Sequence, residues 1–337
     1  MSETIGVVLL NLGGPDTLDA VEPFLYNLFS DPDIIDFPGS FLFRKSLAKL
    51  ISSRRHVWVQ KQYAEIGGGS PLKAYTLKQA SMLEERLNET LPARVYVAMR
   101  YWHPFTDEAL DAIERDGIKR VVLLPLYPQF SKATTESSKK EWDARLKERS
   151  HLKIDTSLIE SYYEHPTYID ALVDRINEGL RQFPAERRAD LHLVFSAHGT
   201  PMKLVRQGDP YSGHIKKTVD AIMDRSKLGN DHSLCYQSKV GPLKWLEPST
   251  PDMIKDLAGK DVKDMLLIPV AFASDHLETL FELGIEYRRV AKEAGVEQYE
   301  VTTGLNDSPK FIEALSELVL AHLGRETEQR ASGAAIC

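Results

Sequence analysis

Cysteine is scarce in this chain. Among 337 residues there are two, Cys235 and Cys337. Two thiols cannot supply the four ligands of an ordinary iron–sulfur cluster or a Cys₄ zinc site. They give no disulfide framework either, which fits a reducing compartment. A basic excess is also missing. Lys and Arg number 42 against 49 Asp and Glu, a net charge of -7, whereas a general nucleic-acid binder carries a strong positive surplus. No basic segment with an apolar signal core precedes the first strand-like run, Ile5–Leu10, and no apolar stretch approaches a membrane span. The expectation is a cytoplasmic, soluble, globular protein. Its 42% hydrophobic content supports a sizeable core, and its length fits one large domain or two compact ones.

What is present alternates. Apolar runs at Ile5–Leu10, Val95–Met99, Val121–Leu126, Ile154–Ile159, Leu191–Phe195, Leu234–Gln237, Met265–Val270 and Tyr299–Thr302 read as buried strands. Helical windows fall between them, at Pro71–Leu87, Thr106–Arg115, Ser137–Glu148, Thr167–Arg181 and Lys216–Arg225. This pattern predicts an α/β fold with parallel sheets covered by helices. Thr106–Pro125 also aligns without a gap on Thr250–Pro269, 144 residues further on. Leu110, Ile113 and Ile118 match Ile254, Leu257 and Val262. The echo predicts two similar, doubly wound, Rossmann-like halves with a cleft between them. Ligands bind such sheets beyond the carboxyl ends of the strands. The halves are expected at residues 1–160 and 161–307, with a C-terminal helix at 308–324 and a frayed tail at 325–337.

The polar motifs follow the strand-like runs. After Leu191–Phe195 comes Ser196-Ala197-His198-Gly199-Thr200-Pro201. Gly and Pro stop the strand, so His198 is expected at its carboxyl end, facing the cleft. An imidazole there could bind a borderline metal or accept a proton near neutral pH. After Met265–Val270 comes Ser274-Asp275-His276-Leu277-Glu278-Thr279-Leu280-Phe281-Glu282. On an α-helix, Asp275, Glu278, Glu282 and Glu286 form one stripe, while Leu277, Leu280, Phe281 and Ile285 pack on another face. The stripe reads either as a solvated acidic face or as one wall of the cleft. Carboxylates beside an imidazole suit a divalent transition metal that is bound and then released. In the first half, Asn11-Leu12-Gly13-Gly14-Pro15 and Ile66-Gly67-Gly68-Gly69-Ser70-Pro71 match neither the dinucleotide fingerprint nor the P-loop. Arg100-Tyr101-Trp102 joins a carboxylate-binding Arg to aromatic rings, and Tyr236 and Trp245 add aromatic surface in the second half. A large flat ligand bearing carboxylates would use these side chains.

Together these strings resemble the ferrochelatase family. The resemblance extends through Gly208-Asp209-Pro210-Tyr211, Tyr236-Gln237-Ser238-Lys239 and Trp245-Leu246-Glu247-Pro248 and spans about residues 4–325. It implies two Rossmann-like halves with a porphyrin in the cleft. It implies insertion of Fe²⁺ into protoporphyrin IX to form haem b, the last step of haem biosynthesis, a lyase (metal chelatase) reaction that releases two protons. His198 and Glu278 match the family's catalytic and metal-binding pair. Asp275, His276 and Glu282 match the network around it. Leu12, Tyr63, Ser70, Arg100, Tyr101 and Trp245 match the porphyrin-binding wall. Leu12 stands where some members carry Met. Iron is a substrate, and no cofactor is expected to stay bound; members with an iron–sulfur cluster use four cysteines.

Neighbouring readings are a coproporphyrin III ferrochelatase, a related cobalt chelatase, and a non-catalytic tetrapyrrole carrier, which would need the aromatic cleft but not the acids. The segment at about 37–55 resembles the lip of the family's pocket. Within it, Phe41–Ile51 is basic and amphipathic, with Phe43, Leu47, Leu50 and Ile51 on one helical face. That face reads either as packed against the core or as a peripheral contact with the inner face of a membrane.

Overall fold

The structure, a computed structural model, describes residues 3–32, 40–239 and 243–334. Two four-stranded sheets form its frame, and every strand pairing in both is parallel. The first contains β1 (Ile5–Asn11), β2 (Ala93–Met99), β3 (Arg120–Pro125) and β4 (Asp155–Leu158), ordered β2-β1-β3-β4. The second contains β5 (His192–His198), β6 (His232–Gln237), β7 (Asp264–Pro269) and β8 (Gln298–Val301), ordered β6-β5-β7-β8. Every residue of β1 and of β7 is buried. Covering both sheet faces with helices is what makes these strands continuous apolar runs rather than alternating ones.

The two orders are the same order repeated, so the sequence echo is a structural one. Gly6 pairs with Val121 in the first sheet, and His192 pairs with Met265 in the second. Val121 and Met265 are separated by the same 144 residues as the echo. Counting outward along β1 and β5 then makes Leu12 the counterpart of His198. Leu12, just past β1, and Leu277, past β7, belong to one apolar cluster, so the ends of the two sheets face each other.

Helices α1 (Val21–Ser30) and α2 (Ser40–Glu65) form a pair before α3 (Leu72–Asn88). Further along come α4 (Thr106–Arg115), α5 (Ser137–Glu148), α6 (Pro166–Leu180), α7 (Met202–Arg206), α8 (Tyr211–Ser226), α9 (Thr250–Gly259), α10 (Tyr287–Glu293) and α11 (Pro309–Ala334). Helix α11 lies in the seam between the halves. Its Phe311, Leu315 and Val319 join one core with Leu83 and Leu87 of α3 and Ile176 of α6.

Two expectations need correcting here. The last helix does not end near residue 324. It runs to Ala334, because Glu326 is gripped by Arg120 and by His322, and Gly324 is tolerated inside a helix already fixed on both sides. The window at 216–225 is only the second part of α8, which starts at Tyr211 directly after Asp209-Pro210.

Buried polar contacts pin the halves together. Gln79 of α3 donates to Ser274 Oγ (2.9 Å) and to the Asn306 carbonyl (2.7 Å). Gln129, just past β3, reaches Thr218 of α8 (3.1 Å). In the other direction, Asp209 accepts from Ser131 Oγ (2.9 Å) and from the Lys132 amide (2.8 Å). Such bonds are costly to leave unmade once buried, so they set the separation of the cleft walls.

Candidate active site

His198 is the last residue of β5. The chain turns tightly after it because Gly199 leaves no room for a side chain; a Cβ there would meet the Gln237 carbonyl at 2.8 Å. The hydroxyl of Tyr211 donates to the His198 carbonyl (3.0 Å) and fixes the strand end from below. The His198 ring is thereby presented to Glu278, whose Oε2 lies 2.8 Å from Nδ1. His276 Nε2 is 3.7 Å from the same oxygen. The rings of Trp245 and Phe272 stand edge-on to His198, each with its centroid 6.4 Å away. The imidazole keeps 39% of its surface exposed, so one edge opens into the cleft.

Glu278 begins a π-helix that runs to Glu286. This i→i+5 winding is rare and concentrates at functional sites. It also corrects the expected α-helical stripe. Asp275 lies before the winding and does not belong to it. Its buried carboxylate is committed elsewhere, accepting from Thr279 Oγ1 (2.9 Å), the Gly304 amide (3.1 Å) and Asn306 Nδ2 (2.7 Å). Asp275 anchors the start of the π-helix to the loop before α11. Four residues beyond Glu278, Glu282 accepts from Ser238 Oγ (2.8 Å) and Gln237 Nε2 (3.3 Å). Gln237 also donates to the Glu278 carbonyl (3.2 Å) and accepts from Ser196 Oγ (2.9 Å). Glu286 is exposed. The carboxylates therefore step from His198 out to solvent.

Burial and neighbouring charge push these groups in different directions. For His198, burial disfavours the imidazolium, but the adjacent Glu278 carboxylate outweighs it and the pKa rises. For Glu278, burial alone would raise the pKa; His198, and after it His276, hold it well below the usual carboxylate range. Among the described residues, no cation is ion-paired with Glu282. Burial first, and then the charge of Glu278, push it up to about 7. One site thus holds a histidine hydrogen-bonded to a carboxylate and a second carboxyl that titrates near neutrality, a combination suited to proton handling.

The facing wall belongs to the first half. Leu12, Trp102 and Leu277 are half-buried and pack on Tyr63 and Tyr101. Leu277 immediately precedes Glu278, so this apolar cluster joins the wall to the acidic pair. A profile of the family Ferrochelatase matches residues 4–323. The chain is 49% identical over 323 residues to the ferrochelatase of Gloeobacter violaceus, covering 95% of this chain and 98% of that one. It is 47% identical over 320 residues to that of Geotalea daltonii, with shares of 95% and 98%. To that of Gloeothece citriformis it is 48% identical over 322 residues, with shares of 95% and 82%. The chain belongs to the ferrochelatase family.

Solved structures support the fold of this ferrochelatase. The sirohydrochlorin chelatase SirB from Bacillus subtilis subspecies spizizenii in complex with cobalt superposes with a TM-score of 0.54 at 10% identity, covering 98% of this chain and 97% of that one. SirB from Bacillus subtilis with Fe³⁺ gives 0.53 at 11% identity, covering 98% of both chains.

The structure gathers His198, Glu278, His276, Glu282 and Trp245 in one place, with Leu12 on the facing wall. It treats the other expected wall residues differently. Tyr63 and Tyr101 keep 4% and 2% of their surface, and Ser70 keeps 7%. All three side chains are buried, the two tyrosines in the apolar cluster with Leu12 and Trp102. The Tyr101 hydroxyl is bonded to Asp31 (2.7 Å). Ser70 Oγ accepts from the Leu72 amide (3.3 Å) at the start of α3. Arg100 is ion-paired to Asp31 and Glu141. Sequence reasoning missed Phe272, Tyr211, Gln237 and Ser238 as parts of the site. Tyr211, Gln237 and Ser238 sat inside recognised strings, but their contacts with His198 and Glu282 span 13 to 45 positions, and no local pattern announces them.

Glu282 gives a pH-dependent stability prediction. Its folded pKa near 7 lies above its ordinary 4.5. Between those values the folded state holds a proton that the unfolded state releases, so ionisation costs stability as pH rises. Glu282→Gln removes that cost. The variant should melt close to wild type at pH 5 and above it at pH 8, by about 1–2 kcal/mol once solvent access is allowed for. Melting curves at both pH values check this; a gain confined to pH 5 contradicts it.

Proposed function

We propose that this ferrochelatase inserts Fe²⁺ into protoporphyrin IX, forming haem b and releasing both pyrrole protons, with His198 and Glu278 as the reacting pair. The observation that carries the reading is the 2.8 Å contact between them at the mouth of β5. In the neutral ring, Nδ1–H donates to Glu278 and leaves the Nε2 lone pair for a pyrrole N–H proton. The imidazolium that forms is then stabilised by the same carboxylate, the usual logic of an oriented general base. Glu282 stands next along the π-helix with a pKa near 7, able to receive the proton and pass it outward to exposed Glu286. A planar macrocycle shields its nitrogens, so a cleft that holds it bent would expose them. The apolar cluster of Leu12, Trp102 and Leu277 offers a surface for one face, and Trp245 and Phe272 for the other.

Anaerobic mixing of protein, protoporphyrin and Fe²⁺, followed by absorbance, tests the reading. Haem should form at a rate proportional to enzyme. Turnover only with coproporphyrin III, or only with Co²⁺ and a reduced tetrapyrrole, would redirect it, and porphyrin binding without turnover would make the protein a carrier. No iron–sulfur cluster or other resident cofactor belongs to this proposal, and iron passes through as substrate.

A peripheral membrane contact is the remaining part. Among the described residues, no helix is long and apolar enough to cross a membrane. On α2, Phe43 (64% exposed), Leu50 (47%) and Val57 (53%) recur every seven residues, with Trp58 (55%) beside them. This stripe differs from the expected face: Leu47 and Ile51 turn partly inward, and residues 37–39 of the lip fall outside the described residues. Exposed Lys45, Lys49, Arg54 and Lys61 accompany it. An apolar stripe edged by lysine suits the surface of anionic lipid, from the cytoplasmic side. Flotation with anionic liposomes should recover protein at low salt and lose it at high salt. No recovery at low salt removes the proposal.

A further inference from the structure

The residue best suited by charge to hold a ligand carboxylate, Arg100, is already fully engaged. Its Nη2 lies 2.6 Å from Asp31 Oδ2, its Nη1 is 3.4 Å from Glu141 Oε2, and its Nε donates to Ser137 Oγ (3.2 Å). The same Asp31 oxygen accepts the Tyr101 hydroxyl at 2.7 Å. The Arg100 side chain keeps 16% of its surface and that of Asp31 keeps 2%. Arg100 thus bridges two carboxylates, and Glu141 is held from its other side by Arg145 (2.8 Å). An approaching propionate would have to compete with Asp31 and Glu141 for Arg100, and breaking the ion pair with the buried Asp31 carboxylate is strongly unfavourable.

Asp31 has a structural position of its own. It is the first residue after α1, where its amide donates to the Leu28 carbonyl. Asn27, one turn earlier, donates to the Tyr101 carbonyl (3.2 Å). The end of α1 is thus fastened to the segment following β2 by two side-chain bonds to Asp31 and one from Asn27. Helix α1 in turn packs along α2, which carries the exposed apolar stripe and, through Tyr63, touches the Glu278 side of the cleft.

We propose that Asp31, Arg100 and Tyr101 form a latch that holds the α1–α2 pair against the end of β2, and that Arg100 is a positioning residue for this wall of the cleft rather than a ligand of the porphyrin carboxylates. The proposal rests on the porphyrin reading of the cleft, and its test separates the two.

Binding of mesoporphyrin and of its dimethyl ester is measured for wild type, Arg100→Met, Asp31→Asn, the double variant and Tyr101→Phe. Amide hydrogen exchange is followed in α1 and α2 without ligand. A latch predicts that Arg100→Met and Asp31→Asn each weaken both porphyrins alike, by about tenfold. The double variant should be no worse than either single one, because it removes the buried pair together. Tyr101→Phe, which loses one hydroxyl, should shift binding the same way by less. Porphyrin KM should rise while kcat stays within about twofold, and exchange in α1 and α2 should quicken relative to β1 and β3. A propionate ligand predicts instead that Arg100→Met weakens the diacid alone and that Asp31→Asn changes little; that result overturns the latch. Unchanged exchange in Asp31→Asn overturns it as well, even if Arg100→Met fails to fold. A wild-type protein that binds neither porphyrin refutes the cleft reading, and exchange still decides the latch.

Discussion

His198→Ala should lower porphyrin metallation by at least about 10³-fold while leaving porphyrin affinity within about tenfold, or roughly 1.4 kcal/mol. The two effects separate because they come from different parts of the cleft. Affinity for a large flat macrocycle comes mainly from apolar and aromatic surface, supplied by Leu12, Trp102, Leu277, Trp245 and Phe272, none of which the substitution removes. The proton path, by contrast, begins at one ring. Nδ1 of His198 is fixed by Glu278 at 2.8 Å, and the backbone behind it by Tyr211 at 3.0 Å. No described side chain stands in the same place: His276 is 3.7 Å from the Glu278 oxygen, and its Nδ1 is turned toward the Ser274 carbonyl, 3.1 Å away. The variant also leaves Glu278 without its main partner. With that partner gone, burial pushes the pKa of Glu278 upward, so the variant should lose stability relative to wild type as pH rises past the ordinary carboxylate value of 4.5. A melting curve therefore accompanies the assay, to keep unfolding from being read as lost chemistry. Folded His198→Ala with wild-type turnover would remove the histidine from the mechanism.

Much of the frame was legible because parallel strands buried on both faces must be apolar throughout. The runs that became β1, β3 and β7 stand out for that reason, and their shared spacing exposed the repeated halves. His198 was legible for a related reason: Gly199 and Pro201 mark where β5 stops, and a polar residue at that point faces a cleft. The π-helix was not legible. Its wider turn buries Thr279, Phe281 and Leu283 instead of the face of Leu277, Leu280, Phe281 and Ile285 that an α-helix would pack, and only the backbone reveals that Asp275 stands outside the winding. Helix α11 was cut short because Glu326 looks like surface until Arg120, 206 positions away, is placed beside it. The partners of Arg100 were hidden in the same way. As a lone cation after a strand this arginine suits a carboxylate ligand, and the two acids that neutralise it come from α5 and from the residue after α1.

Glu278→Gln is expected to lower kcat by at least about 10²-fold, the lower range for losing a general acid–base group. Gln keeps the size of the side chain and can still accept from Nδ1–H of His198, so the geometry at 2.8 Å survives. What is lost is the charge that stabilises the imidazolium once a pyrrole proton arrives. The pKa of His198, raised because Glu278 outweighs burial, should fall, making the ring a weaker base and moving the acid limb of the rate profile to lower pH. Glu282→Gln should act differently. It removes a carboxyl with a pKa near 7 held by Ser238 and Gln237, not one touching His198, so its effect on kcat should be smaller and fall mainly on the apparent KM for Fe²⁺. Glu286→Gln, at the exposed end, should be nearly silent. Low salt sharpens the comparison, since a diffuse field is screened while a contact path is not. If the three variants lose activity equally, and the loss fades with added salt, the acids act as a field. If the loss is graded from Glu278 outward and survives 0.5 M salt, they act as a path. The structure favours the graded outcome because only Glu278 touches the ring that takes the proton.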